Sequence, residues 1–300
     1  MEGYYNLEQA FQSSVLDRGY NLVRYLIMSM SAHDPSHRRH RTFRTEAVVL
    51  RHTDWGEADR LLWLFTLESG KLRAVAKGVR KPRSRKAGHL EPFTRVQLLL
   101  AQGRDLPIVT QAETVDAYLP LRENFLHTTY ASYAIELLDR FTYEEGENRS
   151  LYRLLVDTLS RLSRQLSPEV VVRFYEMRLL DLVGFRPQLF QCALCRSEIL
   201  PQDQYFSAQQ GGVICPKCNR DASDARPISM RALKYMRHFQ RSTFAEAMKA
   251  KLPSLVNREI EAILQHYVSY LLERGLNTPP FIRQARRDLA HIREEEAPEN

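Results

Sequence analysis

All four cysteines of this 300-residue chain fall in one window, as Cys192-Ala193-Leu194-Cys195 and Cys215-Pro216-Lys217-Cys218, with nineteen residues between the pairs. This spacing constrains local structure more than anything else in the chain. Two thiolates separated by two residues grip one ion from a tight turn, and a second such pair completes a tetrahedron. Asp203 to Phe206 and Gly212 to Ile214 read as a short hairpin turning at Gly211-Gly212, the span of a zinc ribbon. Two disulfides would use the same cysteines, but the chain shows no cleavable signal-peptide pattern. A redox CxxC normally occurs once beside a βαβ pattern, and that pattern is missing. A catalytic zinc keeps an open position, whereas four thiolates close the shell. The expectation is one structural zinc held by Cys192, Cys195, Cys215 and Cys218.

Three hundred residues suit two domains. No run of eighteen apolar residues occurs, so no membrane span is expected. The net charge is +7, and its distribution matters more than its size. Arg41 to Tyr118 hold fourteen Lys and Arg against nine Asp and Glu, while residues 1–40 carry four of each. A basic excess focused on one small domain points to a polyanion partner, most often nucleic acid.

Residues 1–40 do not read as a domain. Asn21 to Met28 is apolar but short, with Glu2, Glu8 and Asp17 upstream, and Ser31 to Arg41 is polar. The expectation is a disordered leader, or a start placed too early, with Met28 and Met30 as alternatives. From Thr42 the texture is that of strands. Thr45 to His52, Arg60 to Thr66, Lys71 to Lys77, Phe93 to Leu100 and Ile108 to Val115 are the candidates. Arg60 to Thr66 is nearly all apolar and is expected to be buried on both faces. Lys71 to Lys77 alternates, with Lys71, Arg73 and Lys77 on a face expected in solvent and Leu72, Ala74 and Ala76 on a core. Five short strands in about 75 residues predict a small antiparallel barrel of the OB-fold kind.

Six of the ten residues from Lys77 to Lys86 are Lys or Arg, and Gly78, Pro82 and Gly88 keep the stretch irregular. It reads as a mobile basic loop suited to phosphates. With the adjacent strand face it nominates Lys71, Arg73, Lys77, Arg80, Lys81, Arg83, Arg85, Lys86 and Arg104 as DNA contacts. Trp55 is a candidate for base stacking, and Trp63, inside an apolar run, reads as core.

After Pro120 the apolar period becomes helical: Tyr130, Ala134, Leu137, Phe141; Leu151, Leu155, Leu159, Leu162; Val170, Phe174, Met177, Leu180. Ser167-Pro168-Glu169 signals a helix start and Gly184 a stop. Helices resume at Arg231 to Phe239 and Val256 to Leu271, with Gly275 and Pro279-Pro280 read as the end. The tail after Arg283, running into Glu294-Glu295-Glu296, is expected to be frayed. The reading is an α+β multidomain chain: leader 1–40, OB-fold 41–118, helical domain 119–187 and 226–280, zinc ribbon 188–225 inserted in it, and charged tail 281–300.

Catalytic patterns are missing. HExxH, GxSxG and GxGxxG do not occur, and Ser69-Gly70-Lys71-Leu72 lacks the upstream glycine of a phosphate-binding loop. Asp54, Glu57 and Asp59 cluster, but Arg60 beside them argues against a metal site. No enzymatic activity is expected.

Several runs together resemble a known family. They are Gly56-Glu57-Ala58-Asp59-Arg60-Leu61, Ser69-Gly70-Lys71-Leu72 continuing to Lys77-Gly78-Val79-Arg80, Glu91-Pro92-Phe93, Gln111-Ala112-Glu113, Phe174-Tyr175-Glu176-Met177 and Gly184-Phe185-Arg186-Pro187, followed by the four cysteines. In this order, over roughly residues 42–280, the chain resembles the bacterial RecO family of DNA repair proteins. The resemblance implies an N-terminal OB-fold, a helical C-terminal domain and an inserted zinc finger. It implies a non-enzymatic recombination mediator of the bacterial cytoplasm and nucleoid. Such a protein binds ssDNA and dsDNA, anneals complementary strands and, with RecR, helps load RecA onto DNA coated by the single-stranded-DNA-binding protein SSB. A contact with the acidic SSB C-terminal tail is implied as well. A second reading stays open: an interaction scaffold whose basic barrel docks an acidic protein.

Overall fold

The computed structural model describes residues 42–143 and 146–295. The readings of residues 1–40 as a leader and of 296–300 as the end of a frayed tail lie outside the described residues.

Five strands build the N-terminal part: β1 Thr42–Trp55, β2 Asp59–Thr66, β3 Gly70–Ala76, β4 Arg95–Ala101 and β5 Ile108–Asp116. Consecutive hairpins join β1, β2 and β3, and β4 pairs with both β1 and β5. A parallel bridge from Val75 to Ile108 links β3 to β5, so the pairings return to their start in the OB-like order β1-β2-β3-β5-β4. Side chains alternate across each strand. Val49, Leu62, Leu64, Ala74, Val96 and Leu98 point inward and form one small core. Their neighbours Val48 and Phe65 point outward and belong to the larger core of the helices. Leu50 is an extra residue between the pairs Val49–Leu64 and Arg51–Trp63. Such a bulge turns the following side chain, here Arg51, onto the outer face opposite Trp63.

The helices are α1 Leu119–Arg122, α2 Phe125–Phe141, α3 Arg149–Ser163, α4 Pro168–Leu182, α5 Met230–Arg241, α6 Phe244–Ala247, α7 Ser254–Leu271 and α8 Pro279–Glu295. Their starts follow from capping: Asn124, Asn148 and Ser229 each accept a main-chain N–H three residues on. The predicted stop of α4 is a Schellman turn. Gly184 sits at φ +85°, and Phe185 N–H reaches back to Leu180 O at 2.7 Å.

The helices cover the outer face of β1 and β2. Phe65 stacks on Tyr152 of α3 with ring centroids 6.5 Å apart, and the Tyr152 hydroxyl donates to Glu46 at 2.9 Å. Arg95 binds the same carboxylate at 2.7 Å. Deeper in the helical core, Arg173 and Glu176 pair at 3.0 Å with both side chains fully buried. Burial, helped by the neighbouring Glu261 carboxylate, raises Glu176 to about 7 against the attraction of Arg173 and the hydrogen bond from Tyr133. Removing Arg173 would leave the Glu176 carboxylate without its counter-charge in an apolar medium, and the Tyr133 hydroxyl of α2 donates to that same carboxylate on α4, so the group ties the two helices together.

Pro279-Pro280 does not end the helices, as the sequence reading has it; it opens α8. Proline lacks the N–H that the first helical turn leaves unpaired, and its fixed φ favours that position. Ile282 and Ala285 are buried, and Arg286 donates to Tyr130 and to Glu261 at 2.7 Å, so the segment to residue 289 is docked rather than frayed. The entry to α8 hangs on Glu136, whose carboxylate accepts from Asn277 N, Thr278 N and Thr278 Oγ1 at 2.7 to 2.8 Å. Glu136→Ala leaves these donors unpaired at a half-buried site. We expect a loss of about 1–3 kcal/mol in urea unfolding, with an unchanged midpoint as the contrary result.

Candidate functional site

Between α4 and α5 the chain forms a small three-stranded sheet, β6 Gln204–Ser207, β7 Gly212–Ile214 and β8 Arg226–Ile228, in the order β7-β6-β8. The first two are the predicted hairpin. The third takes residues 226–228, including Pro227, from the span read as helical domain. Pro227 sits on an edge strand, where its missing N–H faces away from the sheet. Gly212 lies against Gln188 O so closely that a Cβ there would collide with it.

This sheet and two knuckles gather the four cysteines. Their sulfurs all lie within 4.8 Å of one another, and Cys195 Sγ is 3.8 Å from Cys215 Sγ. A tetrahedron with Zn–S bonds of about 2.3 Å has edges of about 3.8 Å. The cluster therefore fits a four-thiolate ion site, and the sulfur separations are far from disulfide length. The first knuckle closes through Arg196 N–H to Cys192 O at 3.0 Å, with Arg196 in the left-handed region at φ +63°. The second closes through Cys218 N–H to Cys215 O at 3.0 Å. The Ser197 hydroxyl, 3.0 Å from Cys195 Sγ, and its main-chain N–H lower that thiol to about 6. Cys218 shares its proton with the neighbouring sulfurs and is held up at about 12.

The nominated cations separate into two groups. Lys71 does not face solvent. Its ammonium pairs with Asp139 at 2.6 Å and donates to Asp139 O at 2.8 Å, and its side chain is 14% exposed. The alternation of β3 is as expected, but the face opposite the inner core is covered by α2 instead of water. Arg73, two residues on along that face, is half-buried. Arg80 pairs with Asp54 at 3.3 Å and donates to Glu57 O. Lys86 donates to Val109 O at 2.9 Å and to Lys77 O at 3.2 Å, and burial lowers its ammonium against the pull of Asp59. The remaining five, Lys77, Lys81, Arg83, Arg85 and Arg104, are exposed, and among the described residues none has a hydrogen-bond or ion-pair partner for its side chain.

The loop that carries four of these five is anchored where it leaves and rejoins the strands. Val79 and Leu90 are buried in the inner core of the strands. Asp59 accepts Gly78 N–H at 2.7 Å, Arg80 N–H reaches Ala58 O, and residues 87–89 form a 3-10 turn. The loop is thus pinned at both ends, and its free side chains project from between the two anchors. The same contacts explain part of the sequence resemblance: Asp59 clamps Gly78, and Arg60 clamps Glu91 at 2.9 Å. The acids Asp54 and Asp59 are occupied in this way and form no metal cluster with Glu57; the cysteine group is the one candidate among the described residues.

Three connections meet at one end of the ring of strands. Trp55, paired with Asp59 across the β1–β2 turn, is 53% exposed. The basic loop leaves β3 beside it. The β4–β5 turn carrying Arg104 is held there by Val75 N–H to Pro107 O at 2.8 Å. Next to them, on the outer face, Arg51 lies 3.5 Å over the ring of Trp63, with Arg73 opposite Trp63 on β3. Sequence reading missed this Arg51–Trp63–Arg73 row, because Arg51 faces outward only through the bulge at Leu50.

With this geometry described, comparison places the chain. The family models for the N terminus and the C terminus of recombination protein O match residues 40–118 and 122–280. A DNA repair protein RecO of Roseiflexus sp. is 38% identical over 84% of this chain and 88% of its own length. Those of Pelotomaculum thermopropionicum and Dehalococcoides mccartyi are 35% and 34% identical over 80% and 77% of this chain. No helix among the described residues is long and apolar enough to cross a membrane. A five-stranded OB-like sheet, a helical part with a four-cysteine cluster and two family models covering both halves agree: the chain belongs to the RecO family of DNA repair proteins.

Proposed function

We propose that this protein is a non-enzymatic recombination mediator that binds ssDNA and dsDNA and anneals complementary strands. With RecR it would help load RecA on SSB-coated DNA, with the SSB tail as a further contact. The five-strand ring is read as an OB-fold barrel, and the four cysteines as the shell of one structural zinc. The observation that carries the reading is the set of five unpaired, exposed cations at one end of the barrel, with Trp55 among them. OB-folds bind oligonucleotides across strands 2–3 and the loops at that end. Unpaired cations release counterions from phosphates at little desolvation cost, and an exposed indole offers a stacking surface to any base. Neutralising both strands lowers the repulsion that opposes annealing, and base pairing then provides the specificity.

The test is annealing of complementary oligonucleotides across a salt series, with naked and with SSB-coated strands. Annealing that falls steeply with salt and persists on coated strands supports the mediator. Absence of DNA binding at low salt would return the barrel to the scaffold reading, in which it docks an acidic protein.

A further inference from the structure

The charge of the helical part is nearly balanced as a whole, which conceals a second basic surface. α5 carries Arg231, Lys234, Arg237, His238 and Arg241 and no acidic residue. Arg231, Lys234, His238 and Arg241 are spaced by three and four residues, so they form a single stripe along one face. Arg231, Lys234 and Arg241 are exposed, and among the described residues none of the three forms an ion pair or a hydrogen bond through its side chain. The opposite face of α5, through Leu233, Met236 and Phe239, is buried against the other helices.

The stripe is also braced. Phe190, on the approach to the cysteine cluster, lies under Arg241 at 3.5 Å and under Arg237 at 5.0 Å from its ring centroid. Arg237 donates to Leu189 O at 2.8 Å. A guanidinium stacked on a ring keeps its edge donors free while its position is held. The carboxylate that bears on Arg237 is Glu198 of the zinc module, and Glu246 beyond the C-terminal end is turned back onto Thr243. From Arg231 to Arg241 the stripe runs about 15 Å, which matches about four phosphates of one strand of a duplex.

We propose that the α5 face is a second phosphate-binding surface, which takes the incoming strand while the barrel end holds the first. This rests on the annealing reading above. It adds that one chain presents two separate DNA surfaces, the second braced by the cysteine module.

The test is the triple variant Arg231→Glu, Lys234→Glu, Arg241→Glu in the full chain, with Lys81→Glu, Arg83→Glu, Arg85→Glu in parallel. Circular dichroism and zinc content establish that each is folded. For the α5 variant we expect single-strand affinity within about twofold of the parent and annealing of naked strands slowed on the order of tenfold. The salt slope of second-strand capture should fall by about three. Equal annealing rates in the α5 variant and the parent would overturn the inference and leave the face to an acidic protein. That outcome leaves the proposed function standing so long as the barrel variant still loses single-strand binding.

Discussion

Cys195→Ser is expected to reduce the zinc of the protein purified under reducing conditions from one ion per chain to nearly none. It should also expose the segment from Leu189 to Ile228 to protease. The four sulfurs lie on two knuckles joined by β6 and β7, and the first knuckle is tied to β7 by Ala193 N–H to Val213 O and Val213 N–H to Gln188 O, both at 2.8 Å. In such modules the free energy of ion binding, on the order of 10 kcal/mol, is folding free energy. The loss should also lower the stability of the helical part, because Leu189, Cys192, Phe206, Val213 and Ile214 are buried in the same core as the helices. Acid should act like the substitution. Thiolates must be deprotonated to hold the ion, so zinc release should set in as pH falls through the range where they take up protons. A parent protein without metal, or a Ser variant that retains it, would exclude the four-thiolate shell.

Lys81→Glu, Arg83→Glu, Arg85→Glu is expected to weaken single-strand binding on the order of a hundredfold at about 0.1 M salt and to lower the salt slope by about three. These three project from a loop pinned by Val79 and Leu90, so the changes leave the inner core of the five strands untouched. Lys71→Ala makes the contrast. Its ammonium closes the C-terminal end of α2 through Asp139 O and the Asp139 carboxylate. It should therefore cost stability and leave the salt slope as it was. Titration by fluorescence anisotropy at several salt concentrations separates the two, and a normal slope in the triple variant would remove the loop from the interface.

Much of this was legible because it is local. The two CxxC pairs announce knuckles whatever surrounds them. Period-two and helical patterns placed the five strands and the principal helices, since each pattern reports one buried face. The Ser167-Pro168 start and Gly184 stop rest on main-chain chemistry within one turn. The errors have one origin. Pro279-Pro280 reads equally as a stop or a start, and Glu136, 141 residues away from Asn277, decides for a start. Residues 226–228 became a strand because β6 offered them an edge.

By itself, then, the sequence determined the kinds of element, their order, which four cysteines cluster and the presence of a cation-rich loop. It also carried the motif runs that identify the family. The tertiary structure decided which cations are available. Lys71 and Lys77 share one face of one strand region, yet an aspartate 68 positions along the chain buries the first and leaves the second in water. It decided that Arg51 stacks on Trp63, and it set the α5 stripe beside Phe190. A side chain's alternation is a property of its own strand, whereas its burial depends on what the rest of the chain packs against it.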